Sequence, residues 1–318
     1  WDGSDIQHLT VSADGTLYAY GRGLSYTLYK STDGGFKWSH IGQVQDSITG
    51  IAVSPHDPDT IYYATSSSVY RSTNGGKTFV QMPAVPGGAG SGNIEITSIS
   101  VTWLNYNIIA VGTGDTDISG FGGVYTLDEA EFFTGWIDTG IGAYDVYTVA
   151  FSPNYALDRQ IAAVATDETD TFILSKIGNS DWSAFIGHAK LDRDNSGTPT
   201  PVAVAHAAVI AFPANYNALA ATSDRVFFAG IDTGAGEGDV YRIRCTDTPG
   251  LSPATDLNIG SIYGENNIDI TGLAAYNNDS TLILLAGAAD SSRTFISADG
   301  GTSWTRSGKV PTGDSDTE

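Results

Sequence analysis

Cysteine, cationic side chains and long apolar runs are what this chain of 318 residues has least of. A single cysteine, Cys245, excludes an internal disulfide framework and any cysteine-rich metal site, and reads as a small buried hydrophobe. The 15 Lys and Arg face 36 Asp and Glu, and the formal charge of −21 repels nucleic acid, anionic membranes and acidic polysaccharides at long range. No stretch approaches the roughly 18 to 20 uncharged apolar residues that cross a bilayer as a helix. A start at Trp1 rather than Met predicts a processed or excised chain. The histidines show no metal-ligand spacing, and His206, opening an inner strand, reads as a core histidine. Arg71 and Arg242, inside short strands, read as solvated.

Turn residues and core residues are both plentiful: Gly 38 and Pro 11 stand beside 41% hydrophobic and 11% aromatic residues. A repeat organises them. Ile48-Thr-Gly-Ile-Ala-Val53 reappears as Ile270-Thr-Gly-Leu-Ala-Ala275, with looser copies starting at Ile6, Ile96, Val146 and His206. The interval lies near the roughly 40 to 50 residues of a propeller blade. Each unit carries a second apolar run, such as Thr60 to Thr65 or Arg225 to Gly230, and a third, such as Ser68 to Arg71 or Asp239 to Arg242. These runs are short, β-branched and aromatic, and bounded by Gly, Asp and Ser, which predicts strands rather than amphipathic helices. The expectation is an all-β, six-bladed β-propeller of four-stranded antiparallel blades. It forms one domain over 1–310, with blades starting near 6, 48, 96, 146, 206 and 270, and 311–318 as an acidic tail or linker.

Three junctions between third and fourth strands share one pattern: Ser31-Thr-Asp33-Gly-Gly35-Phe-Lys-Trp38, Ser72-Thr-Asn74-Gly-Gly76-Lys-Thr-Phe79 and Ser297-Ala-Asp299-Gly-Gly301-Thr-Ser-Trp304. The Ser and Asp/Asn oxygens suit the backbone N–H groups of a tight turn, Gly supplies positive φ, and the aromatic ring packs beneath. These turns resemble the Asp-box, or BNR repeat, of sialidases, xyloglucan-degrading glycosidases, sortilin-like receptors and photosystem II assembly factors. That resemblance implies a structural role for the boxes on the outer rim. It does not extend to sialidase chemistry: no Arg-Ile-Pro segment is present to begin an arginine triad. Nor is the basic patch expected of an assembly factor visible.

Loops between second and third strands, together with those between blades, share one end of a propeller. They gather Asp115, Asp117, Asp167, Glu168, Asp170, Asp232, Glu237, Asp239 and Asp290 with Asp145, Asp192, Asp194, Glu265 and Asp269, concentrating negative charge over blades three to six. Two of these loops, Asp115-Thr-Asp117-Ile-Ser119-Gly120 and Asp192-Arg-Asp194-Asn-Ser196-Gly197, place oxygens at positions 1, 3 and 5 with Gly at 6, as an EF-hand loop opens. Position 12 is Thr126 or Ala203 rather than Glu. Ca²⁺ is therefore the one expected cofactor, with Asp192, Asp194 and Ser196 as first-choice ligands and Asp115, Asp117 and Ser119 as second. The polar surface turn is the competing reading.

The functional expectation is a secreted or cell-surface binding or structural module, within an S-layer or other extracellular assembly. Its partners would be protein subunits or neutral glycans, in a homo-oligomer or lattice. Tyr26, Trp103, Tyr144 and Tyr263 are candidates to stack on sugars. The alternative is a glycoside hydrolase using paired carboxylates on neutral polysaccharide, with no catalytic residue identifiable from the sequence.

Overall fold

The computed structural model describes residues 5–44, 47–83, 85–130, 135–184, 189–193, 200–202, 206–219, 225–245, 254–278, 281–289 and 291–308. The fold is an all-β six-bladed propeller of four-stranded antiparallel sheets. Among the described residues the only α-helix is the single turn Tyr155–Asp158. The proposed tail 311–318 lies outside the described residues.

The chain divides into two compact units, residues 1–139 and 140–318, with three blades each. In the first unit, blade one is β1 (Asp5–Val11), β2 (Leu17–Arg22), β3 (Leu28–Ser31) and β4 (Ser39–Gly42). Blade two is β5 (Ile48–Val53), β6 (Ile61–Thr65), β7 (Val69–Ser72) and β8 (Val80–Gln81), and blade three is β9 (Ile94–Trp103), β10 (Asn107–Asp115), β11 (Gly123–Asp128) and β12 (Ile137–Asp138). In the second unit, blade four is β13 (Asp145–Phe151), β14 (Gln160–Thr166), β15 (Thr171–Ile177) and β16 (Ala189–Lys190). Blade five is β17 (Ala207–Ala211), β18 (Val226–Asp232), β19 (Val240–Arg244) and β20 (Ala254–Asp256), and blade six is β21 (Ile270–Asn278), β22 (Thr281–Ala288), β23 (Thr294–Ser297) and β24 (Thr305–Arg306). Every blade is a meander in chain order.

The second strands explain why blades stack. Successive side chains of a strand point to opposite faces, so a strand covered on both sides reads as one continuous apolar run. In β18, Phe227, Ala229 and Ile231 join Val164 and Ile173 of blade four, whereas Phe228 joins Ile270, Leu284 and Phe295 of blade six. In β6, Tyr62 packs with Ile96 and Ile109 of blade three and Tyr63 with Tyr20 and Leu28 of blade one. Gly230 is required by this packing, since a Cβ there would stand 2.5 Å from Ile270 Cγ2. Bulges recur near the start of the first strand, at Ile6/His8, Ile48/Gly50, Val146/Thr148 and Ile270/Gly272. Such bulges increase local twist.

Polar networks tie neighbouring blades. In the first unit Tyr62 Oη donates to Glu129 Oε1 (2.8 Å), Asn107 Nδ2 donates to Glu129 Oε2 (3.1 Å), and Ser54 Oγ donates to Asn107 Oδ1 (2.6 Å). Arg71 completes it with Nε 3.3 Å from Glu129 Oε1, so it is paired rather than solvated: Glu129, just beyond β11, reaches the neighbouring blade. In the second unit Asp158 accepts from Ser152 Oγ (2.7 Å) and Gln160 N (3.0 Å). Tyr216 Oη meets Gln160 Oε1 (2.5 Å) and Cys245 Sγ (3.1 Å), and burial pushes the Cys245 thiol up. His206 differs from its sequence reading. It precedes β17, its N–H donates to Asp232 O, and its ring is 79% exposed.

Candidate functional site

The three repeated turns join β3 to β4, β7 to β8 and β23 to β24. In each, a serine Oγ accepts the N–H of the residue four on: Gly35 (2.9 Å), Gly76 (3.0 Å) and Gly301 (2.8 Å). The same hydroxyls donate to Oδ1 of Asp33, Asn74 and Asp299, which also accepts the N–H of Lys37, Thr78 or Ser303. Both glycines of each turn have φ between +69° and +91°, a region that favours glycine. The Ser303 hydroxyl and backbone N–H, with Ser297, hold Asp299 down at about 2. The aromatic residues differ in depth. Trp304 is buried in the core of blades five and six, Phe79 meets Tyr63 edge-on at 4.8 Å, and Trp38 is half-buried with Nε1 donating to Gly35 O.

The loop after β10 brings Asp115, Asp117 and Ser119 together. Asp115 Oδ1 accepts the N–H of Asp117 (3.0 Å), Asp117 Oδ1 that of Ser119 (2.8 Å), and Ser119 Oγ donates to Asp115 Oδ2 (3.3 Å). Asn93 Nδ2 also donates to Asp117. The Ser119 hydroxyl and N–H hold the Asp117 carboxyl below its ordinary value. Asp192 forms a β-bridge with Pro201 and accepts the N–H of Thr200 (3.0 Å), closing its own loop. Asp194, Ser196 and Asp290 lie outside the described residues. Among the described residues no group of three or more His, Cys, Asp or Glu is placed to hold a metal ion.

A different site emerges in the second unit, at the strand ends where the sequence concentrates carboxylates. A depression of about 600 Å³ is lined by Arg193, Gly236, Glu237, Asn258, Asn266 and Asn267. Arg193 Nη1 lies 2.6 Å from Glu237 Oε1. The loop from β18 to β19 is pinned by Asp269, at the entrance to blade six. Its carboxylate accepts the N–H groups of Thr233 (3.0 Å), Gly236 (2.7 Å) and Gly238 (2.8 Å) and the Thr233 hydroxyl (2.9 Å). Burial opposes the charge on Asp269, yet these donors hold its carboxyl below the ordinary value. Burial, reinforced by the charge of Asp269, pushes neighbouring Asp232 up. Asn258 takes a left-handed backbone (φ 45°), which Asn tolerates better than most side chains, and its N–H donates to Asp256 Oδ1 (2.8 Å).

The most perturbed carboxyl among the described residues belongs to Asp239, immediately before β19. Its Oδ1 accepts the N–H groups of Val240 (2.6 Å) and Ile259 (3.2 Å). Its Oδ2, like Tyr241 Oη, is buried with no hydrogen-bond partner among the described residues. Burial, then the charge of Asp256, pushes Asp239 up to about 8. A raised carboxyl beside a second carboxyl is the arrangement from which acid/base pairs are built. Here the arrangement is shut in: Asp239 is 0% exposed and Asp256 4%, so no substrate reaches either.

The remaining aromatic candidates already have partners. Tyr26 stacks on His40 and Trp103 on His56, both at 4.0 Å, Tyr144 meets Phe172 edge-on, and Tyr263 lies beneath Arg306 at 4.6 Å. Asn258, Asn266 and Asn267 were not among the candidate residues in the sequence. The available signal was an Asn-Asn pair following Glu265, one residue class that serves turns and ligands alike.

No protein-family model matches the chain, and no curated protein matches it in sequence. Solved structures do share its fold. YCF48 from Cyanidioschyzon merolae superposes with a TM-score of 0.57 at 15% identity, covering 98% of this chain and 88% of that one. YCF48 bound to D1 peptide gives 0.53 at 16% identity, covering 96% and 81%. The GH74 xyloglucanase from Xanthomonas campestris gives 0.55 at 14% identity, with 94% of this chain spanning 51% of the enzyme. The chain therefore spans about half the length of that enzyme, and the likeness in each case is one of propeller fold.

Proposed function

We propose that the chain is a binding propeller that takes a peptide-like segment in the depression between Arg193, Glu237, Asn258 and the Asn266-Asn267 pair. One observation carries this reading: the lining is rich in side-chain amides, and its one carboxylate among the described residues, Glu237, is already paired with Arg193. An amide side chain offers a donor and an acceptor, the same complement as a peptide bond. The lining includes no aromatic ring among the described residues, whereas a sugar face is recognised on such a platform. Glycoside hydrolysis needs two accessible carboxyls about 5 to 9.5 Å apart. The similarity to YCF48 bound to D1 peptide supports a protein ligand. Selection from a random peptide library tests the reading. Enriched peptides should lose affinity for an Asn266→Ala, Asn267→Ala variant, and no reducing ends should appear from neutral glucans. Release of reducing ends that Glu237→Gln abolishes would establish the glycosidase alternative instead.

Three further expectations from the sequence belong to the proposal. Secretion or surface display, including a place in an S-layer or homo-oligomeric lattice, is supported by the resemblance of the repeated turns to the Asp-box, and cell fractionation tests it. The structural role of those turns is supported by their shared hydrogen bonds. Calcium at the Asp115 and Asp192 loops is supported by alternating oxygens, and the chelator experiment below tests it.

A further inference from the structure

We propose that blade six carries a second, anion-selective site, in which Arg293 and Arg306 bind a ligand carboxylate. The two arginines line a depression of about 430 Å³ with Tyr263, Ser292, Thr294 and Ser307. Each is held before any ligand arrives. Arg293 Nη1 lies 2.6 Å from Glu265 Oε1, and its Nε donates to Ser291 Oγ (3.2 Å). Arg306 Nη1 lies 3.6 Å from the same Glu265 oxygen, its guanidinium covers the Tyr263 ring at 4.6 Å, and its backbone N–H donates to Tyr263 Oη (2.7 Å). Glu265 thus offsets the mutual repulsion of the two cations and fixes them side by side.

The charge balance favours an anion. Among the described residues of the site, two guanidinium groups share one carboxylate, leaving one positive charge in excess in a chain whose net charge is −21. A guanidinium has five N–H donors, more than Glu265 and Ser291 consume, and both side chains are partly open to solvent (38% and 39%). Guanidinium donors form forked pairs with carboxylates, and the hydroxyls of Ser292 and Thr294 add neutral donors. A singly charged ligand fits better than a phosphate, because a second negative charge would face Glu265 and the surrounding acidic chain. The carboxylate can come from a chain terminus or from an Asp or Glu side chain; the chemistry recognised is the same. The site does not depend on what the Asn-lined depression binds.

The test follows the guanidinium Nε–H signals of Arg293 and Arg306 by NMR at constant ionic strength. The probes are N-acetyl-Gly-Gly with a free carboxylate, N-acetyl-Asp-amide, the uncharged N-acetyl-Gly-Gly-amide, and inorganic phosphate. Saturable shifts of both signals are expected with one or both carboxylates and not with the amide, the two carboxylate arms distinguishing terminus from side chain. Arg293→Gln should weaken binding about tenfold, equivalent to about 1.4 kcal/mol. Arg306→Lys keeps the charge but loses the fork, and should weaken it as well. Arg22→Gln, the same charge change in the first unit, should leave affinity unchanged, and unaltered melting of each variant confirms folding. Absence of carboxylate shifts, equal shifts with the amide, tighter binding of phosphate, or equal loss in Arg22→Gln would overturn the proposal.

Discussion

Replacing Asp239 by Asn should stabilise the protein at neutral and alkaline pH and remove a large part of its pH dependence. In the native state burial and Asp256 push the Asp239 carboxyl up to about 8, from an ordinary value of 3.8. The folded chain therefore retains a proton that the unfolded chain has released, and stability falls as pH rises between those two values. One pH unit of differential protonation is worth about 1.4 kcal/mol, so the wild type should lose on the order of 3 kcal/mol relative to the variant between pH 5 and pH 7. Asparagine keeps an Oδ1 for the N–H groups of Val240 and Ile259 and places an N–H₂ donor where Oδ2 now has no hydrogen-bond partner among the described residues. Urea unfolding of both proteins across this range gives the comparison, since groups common to both cancel. Parallel stability curves would show that Asp239 is ionised in the folded protein and would refute the reasoning.

Asp269→Ala strips the acceptor from three backbone N–H groups and should destabilise by about 3 kcal/mol, with Asp269→Asn costing less, measured by urea unfolding. Because its folded value is lowered, the Asp269 contribution is complete above the ordinary value near 3.8 and fades as pH falls through the folded value, so wild type and Asp269→Asn should converge in acid. Trp304→Ala should cost about 3 to 5 kcal/mol in thermal unfolding, and the half-buried Trp38 should cost less on the same substitution. Tyr62→Phe leaves the fully buried ring in place and removes one donor to Glu129, for a loss of about 1 to 2 kcal/mol. A calcium-dependent rise in melting temperature that Asp115→Ala, Asp117→Ala or Asp192→Ala reduces would support metal at those loops, and identical melting in chelator and calcium would leave them as polar turns.

The blade architecture was legible because two sequence signals coincide. The second strands read as continuous apolar runs since both of their faces meet a neighbouring blade, as Phe227 and Phe228 do. The repeated turns announce where third strands end, because serine, Asp or Asn and paired glycines are each needed for a specific hydrogen bond or φ. The sites were less legible. Asp239 and Glu237 stand two residues apart in sequence, yet one is fully buried and the other faces a depression, and only the return of the chain at Asn258 and Ile259 decides which. Arg293 and Arg306 belong to different strand ends, and Glu265, which joins them, comes from the preceding interblade loop. His206 shows the limit of reading by position: one residue before the ladder begins, its ring turns to solvent.

Part of the acidic composition follows from how this fold closes its loops. Loops between short strands leave backbone N–H groups that no ladder can reach, and a buried unpaired donor is costly. Carboxylates meet that need across the chain: Asp14 accepts from Thr16, Asp33 from Lys37, Asp117 from Ser119, Asp158 from Gln160, Asp269 from Gly236 and Asp299 from Ser303. Five of these, Asp14, Asp33, Asp117, Asp269 and Asp299, have carboxyls held below the ordinary value. Their contributions are complete above a pH near 3.8 and decline below it, with the exposed members screened by solvent. Asp232 and Asp239 are raised, so their contributions decline in the opposite direction as pH rises. Part of the negative charge is thus the charge of loop closure, and the two groups of carboxyls shift stability in opposite directions with pH.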